Sequence, residues 1–173
     1  MINLAMTYDW ELRLPALDLL CGYYYDTEQS ELFEHTKEEL EKWAESVEAS
    51  IEECDFIQPT DHFTTHDKEP GEILAGLDQL AQYKEIANAY LVRKQITSIP
   101  ERKQYVLGLE LNLPKGTDLD EAEEALYEKY INGLGEFEDT CVIILNDKKD
   151  LRKSLLSVES SLIYSVEDKE QAS

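Results

Sequence analysis

Positive charge is scarce in this chain. Lys and Arg number 16 against 38 Asp and Glu, which leaves a formal net charge of −22 and a sequence pI near 4.3. A field of that sign repels nucleic acid and anionic membrane surfaces and attracts cations and basic proteins. Cysteine is scarce too: Cys21, Cys54 and Cys141 are odd in number and follow no framework spacing. That excludes a disulfide-stapled scaffold and fits reduced thiols packed as small hydrophobes. The seven glycines are scattered, and Gly133-Leu134-Gly135 follows an expected helix instead of opening one, so no phosphate cradle is present. No apolar run approaches the roughly 20 residues that a bilayer span requires. The opening residues, MINLAMTYDWELRL, carry acids where a signal peptide carries bases. A cytoplasmic protein is the expectation.

The residue types of catalysis are equally thin. All three histidines, His35, His62 and His66, fall between residues 35 and 66 with no nucleophile motif nearby. Calcium loops with alternating Asp and a fixed Gly are absent. The best metal constellation is Cys54, Asp61, His62, His66 and Asp67. Two histidines four apart can share a helical face and bind zinc, but Thr64-Thr65 between them disfavours a helix and the spacing matches no common closed zinc site. Acid–base carboxylates cannot be picked out of 38 acids by spacing alone. The expectation is therefore a protein that is not an enzyme and holds no cofactor or metal.

What is present is an uneven distribution of acid. Residues 1–69 hold 18 acids and 4 bases, net −14, while residues 70–173 hold 20 and 12, net −8. A polar stretch, Gln58 to Asp67, reads as a loop or linker between them. Before it, the nearly continuous apolar residues from Leu12 to Tyr25 suggest a largely buried helix starting near Leu14, with Pro15 in its first turn. Trp10, Tyr23, Tyr24 and Tyr25 are expected to pack between this helix and the next. Thr36 and Glu39 suggest the cap of that next helix, whose core face is Leu40, Trp43, Val47 and Ile51. About 135° away, at about 100° per residue, lies a second stripe: Glu38, Glu41, Glu45, Glu48 and Glu52. Such like-charge spacings cost a helix a few tenths of a kcal/mol per pair, and Lys37 and Lys42 relieve only part of it.

After residue 69 the pattern alternates. Ile73, Leu74, Leu77, Leu80 and Ala81 form a helical face, Ala87 to Ile96 is rich in strand formers, and Gln104 to Leu113 alternates leucines. A helix with the face Leu119, Ala122, Leu126 and Tyr130 is expected next. Thr140 to Leu145 then reads as a central strand buried on both faces. A short helix near Leu151 to Val158 and a final strand, Leu162 to Tyr164, complete an α+β fold: a mixed sheet of about four strands covered by helices and preceded by an N-terminal helical pair. The expected division is 1–69, acidic and helical, and 70–173, the sheet domain. The alternating strand at 104–113 is a candidate edge for pairing into a homodimer.

The stretches Gly71 to Leu77, Lys84 to Leu91, Pro100-Glu101-Arg102 and Val106 to Glu110, continued through the Asp118 to Leu134 helix, the Thr140 to Leu145 strand and Leu162-Ile163-Tyr164, resemble the C-terminal domain of the SseB family, the enhanced serine sensitivity proteins. The resemblance covers about residues 70–165 and implies a fold and an intracellular regulatory or scaffold role, with no catalytic residues to carry over. Residues 1–69 do not resemble the usual N-terminal part of that family. From the residues themselves, the leading expectation is an acidic inhibitor or immunity-type protein that neutralises a basic partner, a toxin or nuclease, through Glu38, Glu41, Glu45, Glu48 and Glu52.

Overall fold

The computed structural model describes residues 10–114 and 140–166, and these divide into two compact units. One contains residues 10–57 together with Ile96–Arg102; the other contains Gln58–Gln95 with residues 103–114 and 140–166. The expected boundary at 69/70 therefore shifts, and a loop from the middle of the sequence joins the helical unit.

The helical unit is built on α1 (Trp10–Asp26) and α2 (Ser30–Asp55). Contacts between Tyr25 and Phe33, with ring centroids 5.8 Å apart, and between the Arg13 guanidinium and the Trp43 ring, 4.4 Å from its centroid, make the two helices an antiparallel hairpin. Helix α1 starts four residues before the expected Leu14, so Pro15 lies inside it. Its apolar character runs around the whole helix, more than one neighbour can cover. Ala16, Leu17 and Cys21 are buried, while Leu12, Leu19, Tyr23 and Tyr25 are exposed, contrary to the expectation of a largely buried helix with its tyrosines in the core.

Helix α2 also starts earlier than expected. Gln29 stands at its cap with no side-chain hydrogen bond, and Thr36, read as the cap, is buried inside it. Packing against α1 carries the helix through Phe33. The inward face runs Phe33, Thr36, Leu40, Trp43, Val47 and Ser50, and Ile51 falls off it at 47% exposure. Ile96 and Ile99 of the 96–102 loop are fully buried. The Glu53 carboxylate holds this loop, accepting the backbone N–H of Thr97 at 2.6 Å, that of Ser98 at 3.0 Å, and the Ser98 hydroxyl. Arg102 donates to the Ser50 hydroxyl at 2.8 Å and lies over the Trp10 ring.

The sheet unit contains β1 (Phe63–Thr65), α3 (Pro70–Leu80), β2 (Ile86–Gln95), β3 (Lys103–Leu111), β4 (Thr140–Ile144), α4 (Lys149–Leu156) and β5 (Leu162–Ser165). The class is α+β with a mixed five-stranded sheet, one strand more than expected. The extra strand is β1, inside the stretch read as a linker; three residues carry no legible period, and pairing with Val92–Lys94 makes them a strand. Antiparallel β2 and β3 pair over their whole length, from Ile86↔Leu111 to Gln95↔Lys103. On the other side of β2, β1 and β5 lie end to end, while β4 runs parallel to β3.

Strand β3 is thus interior, which removes the edge pairing that suggested a homodimer. Strand β4, expected at the centre, pairs only with β3 among the described residues. Its apolar run reflects packing on both sheet faces, not a central place. One face carries Ala89, Leu91, Leu107, Leu109 and Ile144 under Leu77 and Leu80 of α3. The other carries Val92, Val106 and Ile143 on the side of α4, whose Leu151 and Leu155 are buried. The helix expected around Leu119 to Tyr130 lies outside the described residues. No described helix is long and apolar enough to cross a membrane.

Two side-chain replacements test this packing. At Gly108 a Cβ would stand 2.7 Å from a Leu145 methyl and 2.7 Å from a Leu155 methyl, both buried. Gly108→Ala is expected to destabilise the protein by about 1–3 kcal/mol through overpacking, measured by urea denaturation. Glu53→Ala leaves two loop amides without their acceptor and is expected to cost about 2 kcal/mol in the same measurement.

Candidate functional site

The five sequence-predicted glutamates, Glu38, Glu41, Glu45, Glu48 and Glu52, are all exposed on α2, opposite its packed face. Because the helix begins at Ser30 and ends at Asp55, the row is longer than expected. Glu31, Glu34 and Asp55 extend it to eight acids at spacings of three and four, all exposed. At 1.5 Å per residue the row is about 36 Å long, or about one carboxylate per 5 Å. Among the described residues only Glu41 of the eight has a base within reach, Lys37 at 4.0 Å. His35 pairs with Glu39, beside the row, at 3.8 Å. With adjacent repulsions of about 0.2–0.5 kcal/mol each, the row costs α2 about 2 kcal/mol at low salt. Leu12, Leu19, Tyr23 and Tyr25 of α1 are also exposed in the same unit.

The metal constellation of the sequence is not assembled. Among the described residues no three His, Cys, Asp or Glu side chains converge on a metal position. Asp61 accepts from the Lys94 ammonium at 2.7 Å and from the Gln58 amide at 2.8 Å, and Lys94 is buried. His62 contributes its backbone carbonyl to the Gln95 amide. His66 is half-buried, and burial lowers the pKa of its imidazole. Asp67 is held by Lys103 at 2.7 Å and by the Tyr105 hydroxyl, with Arg93 at 3.7 Å. Cys54 lies on α2, in the other unit.

A second polar cluster was not visible from the sequence. Glu110 lies near the end of β3, on the α4 face, where it accepts from the Asn88 amide at 2.7 Å, the Tyr90 hydroxyl at 2.9 Å and the Arg152 guanidinium. Burial alone would push the Glu110 carboxyl up, but the hydrogen bonds from Arg152, Asn88 and Tyr90 outweigh it and hold the group below its ordinary range. Burial, followed by Glu110, pushes the Tyr90 hydroxyl up. The only sequence signal was a glutamate in the register between the alternating leucines, where Val106 and Gly108 precede it. Its partner Arg152 is 42 residues away, beyond any local pattern.

No protein-family model, curated protein or solved structure matches the chain.

The Asp67 cluster gives a pH signature. Hydrogen bonds from Lys103 and then Tyr105 lower its carboxyl pKa to about 2. An unfolded Asp titrates near 3.9, so the folded-state pKa is depressed and the cluster adds stability above about pH 4 that is lost as the pH falls through about 2. The side chain is 42% exposed, so solvent screening limits the effect to about 1 kcal/mol. Asp67→Asn is expected to lower the urea midpoint at pH 7 and to flatten its decline between pH 5 and pH 2.

Proposed function

We propose that this protein works by protein–protein contact, as an acidic inhibitor or immunity-type protein that neutralises a basic partner such as a toxin or nuclease. The carrying observation is the eight-acid row of α2, which is exposed, almost free of bases and unfavourable to the helix that bears it. Solvated helix faces normally mix the signs. A row of one sign steers a basic partner into encounter and fixes its register. About one carboxylate per 5 Å is sparser than the 3.4 Å axial rise of phosphates along one DNA strand. It still presents a linear array of negative groups to a surface built for a polyanion.

The resemblance of about residues 70–165 to the SseB family favours a second reading, an intracellular regulatory or scaffold protein that binds through its sheet unit. The two separate on one experiment. The tagged protein is purified from its native host at low salt, the co-purifying protein is identified, and the purified pair is titrated by calorimetry at increasing salt. Replacing Glu45, Glu48 and Glu52 with Gln is expected to weaken binding at least tenfold and to flatten its salt dependence. Relief of like-charge repulsion should at the same time raise Tm by about 2–4 °C. Unchanged affinity in that variant overturns the inhibitor reading and leaves the sheet unit as the binding surface.

A further inference from the structure

We propose that a cleft at the carboxyl ends of β3 and β4 is a binding site for a small monocarboxylate, independent of the acidic row. The cleft has a volume of about 420 Å³ and opens where parallel β3 and β4 end and α4 begins. Crevices outside the carboxyl ends of parallel strands are where helix-covered sheets commonly receive ligands.

Three features of the walls define the ligand. The first is a positioned cation. Arg152 lines the cleft, and its Nε is engaged by Glu110, itself fixed by Asn88 and Tyr90. A guanidinium carries five N–H donors, so this ion pair orients the group and leaves donors for a further acceptor. Its planar fork matches the two oxygens of a carboxylate. The second feature is Lys149, one turn earlier on the same helix and lining the same cleft, which has no ion pair among the described residues. Residues 148–153, Lys-Lys-Asp-Leu-Arg-Lys, concentrate four of the 16 bases of a chain whose net charge is −22.

The third feature is the rest of the lining, which is hydrogen-bonded and partly apolar. Asn146 clamps the end of β4 to the end of β3, accepting from the Leu111 amide at 2.9 Å and donating to the Leu111 carbonyl at 2.8 Å. Ala87, Leu111 and Leu145 add apolar wall. Such a wall suits an organic body better than a bare ion. With Arg152 already paired to Glu110, Lys149 is the cation of this lining without an ion pair among the described residues, and the field of the whole chain penalises a dianion more than a monoanion. One charge with a short apolar body is the fit.

The test uses the full chain labelled with ¹⁵N, titrated at constant ionic strength with acetate, butyrate and benzoate, with inorganic phosphate and chloride as comparison anions. The expected result is saturable movement of the amide resonances of Asn112 and of residues 149–152, tighter for butyrate or benzoate than for acetate. Lys149→Ala should weaken it at least tenfold without altering Tm, because that side chain is exposed and has no ion pair among the described residues. Movement no larger than with chloride, an identical titration in Lys149→Ala, or saturation by phosphate alone would each overturn the proposal.

Discussion

The antiparallel pairing of β2 with β3 is the constraint on which the rest of the structure depends. Strand β2 takes β3 on one side and both β1 and β5 on the other, while β4 is held by β3. A strand in that position must be acceptable on both faces, and β2 and β3 are the most continuously buried segments of the fold. Two charged residues on them with little exposure are each met by an opposite charge: Lys94 by Asp61, and Glu110 by Arg152. A buried charge stripped of its partner costs several kcal/mol, so these pairs tie the loop before β1 to β2 and α4 to β3.

Three acids of the sheet unit differ from the α2 row in what meets them. In the sheet unit, where most of the bases lie, Asp61, Asp67 and Glu110 are each met by Lys or Arg. On α2 the acids are left almost without bases, although interleaving them with lysine would cost nothing in packing because all eight face solvent. The contrast gives the row more weight than the net charge of the chain does. A uniformly acidic composition would serve solubility equally well on any face.

Strong periodicity made part of this legible in advance. The glutamates at three- and four-residue spacing, the alternating leucines at 107, 109 and 111, and the apolar run at 140–145 marked a helix and two strands in the right places. What was not legible depended on partners distant in sequence. Phe63–Thr65 is a strand because Val92–Lys94 is there to bond it, and Thr36 is interior because Phe33 finds Tyr25. The apolar run at 140–145 signalled burial correctly but not position, since cover from both faces of the sheet produces the same composition as a central place. Glu110 and Arg152 were invisible as a pair, and the burial of α1 was overestimated because composition does not count the neighbours available to cover a helix.

The turn between β2 and β3 belongs to the helical unit and is fastened there by Glu53, with Ile96 and Ile99 buried. The helical unit is accordingly encoded in two pieces, on either side of β1, α3 and β2. Cutting the gene after α2 would yield helices missing the loop that completes their core, and a sheet whose longest hairpin ended in two bare isoleucines. Neither unit is a portable cassette, and recombination that exchanges one for a foreign domain must cross the chain at three points instead of one.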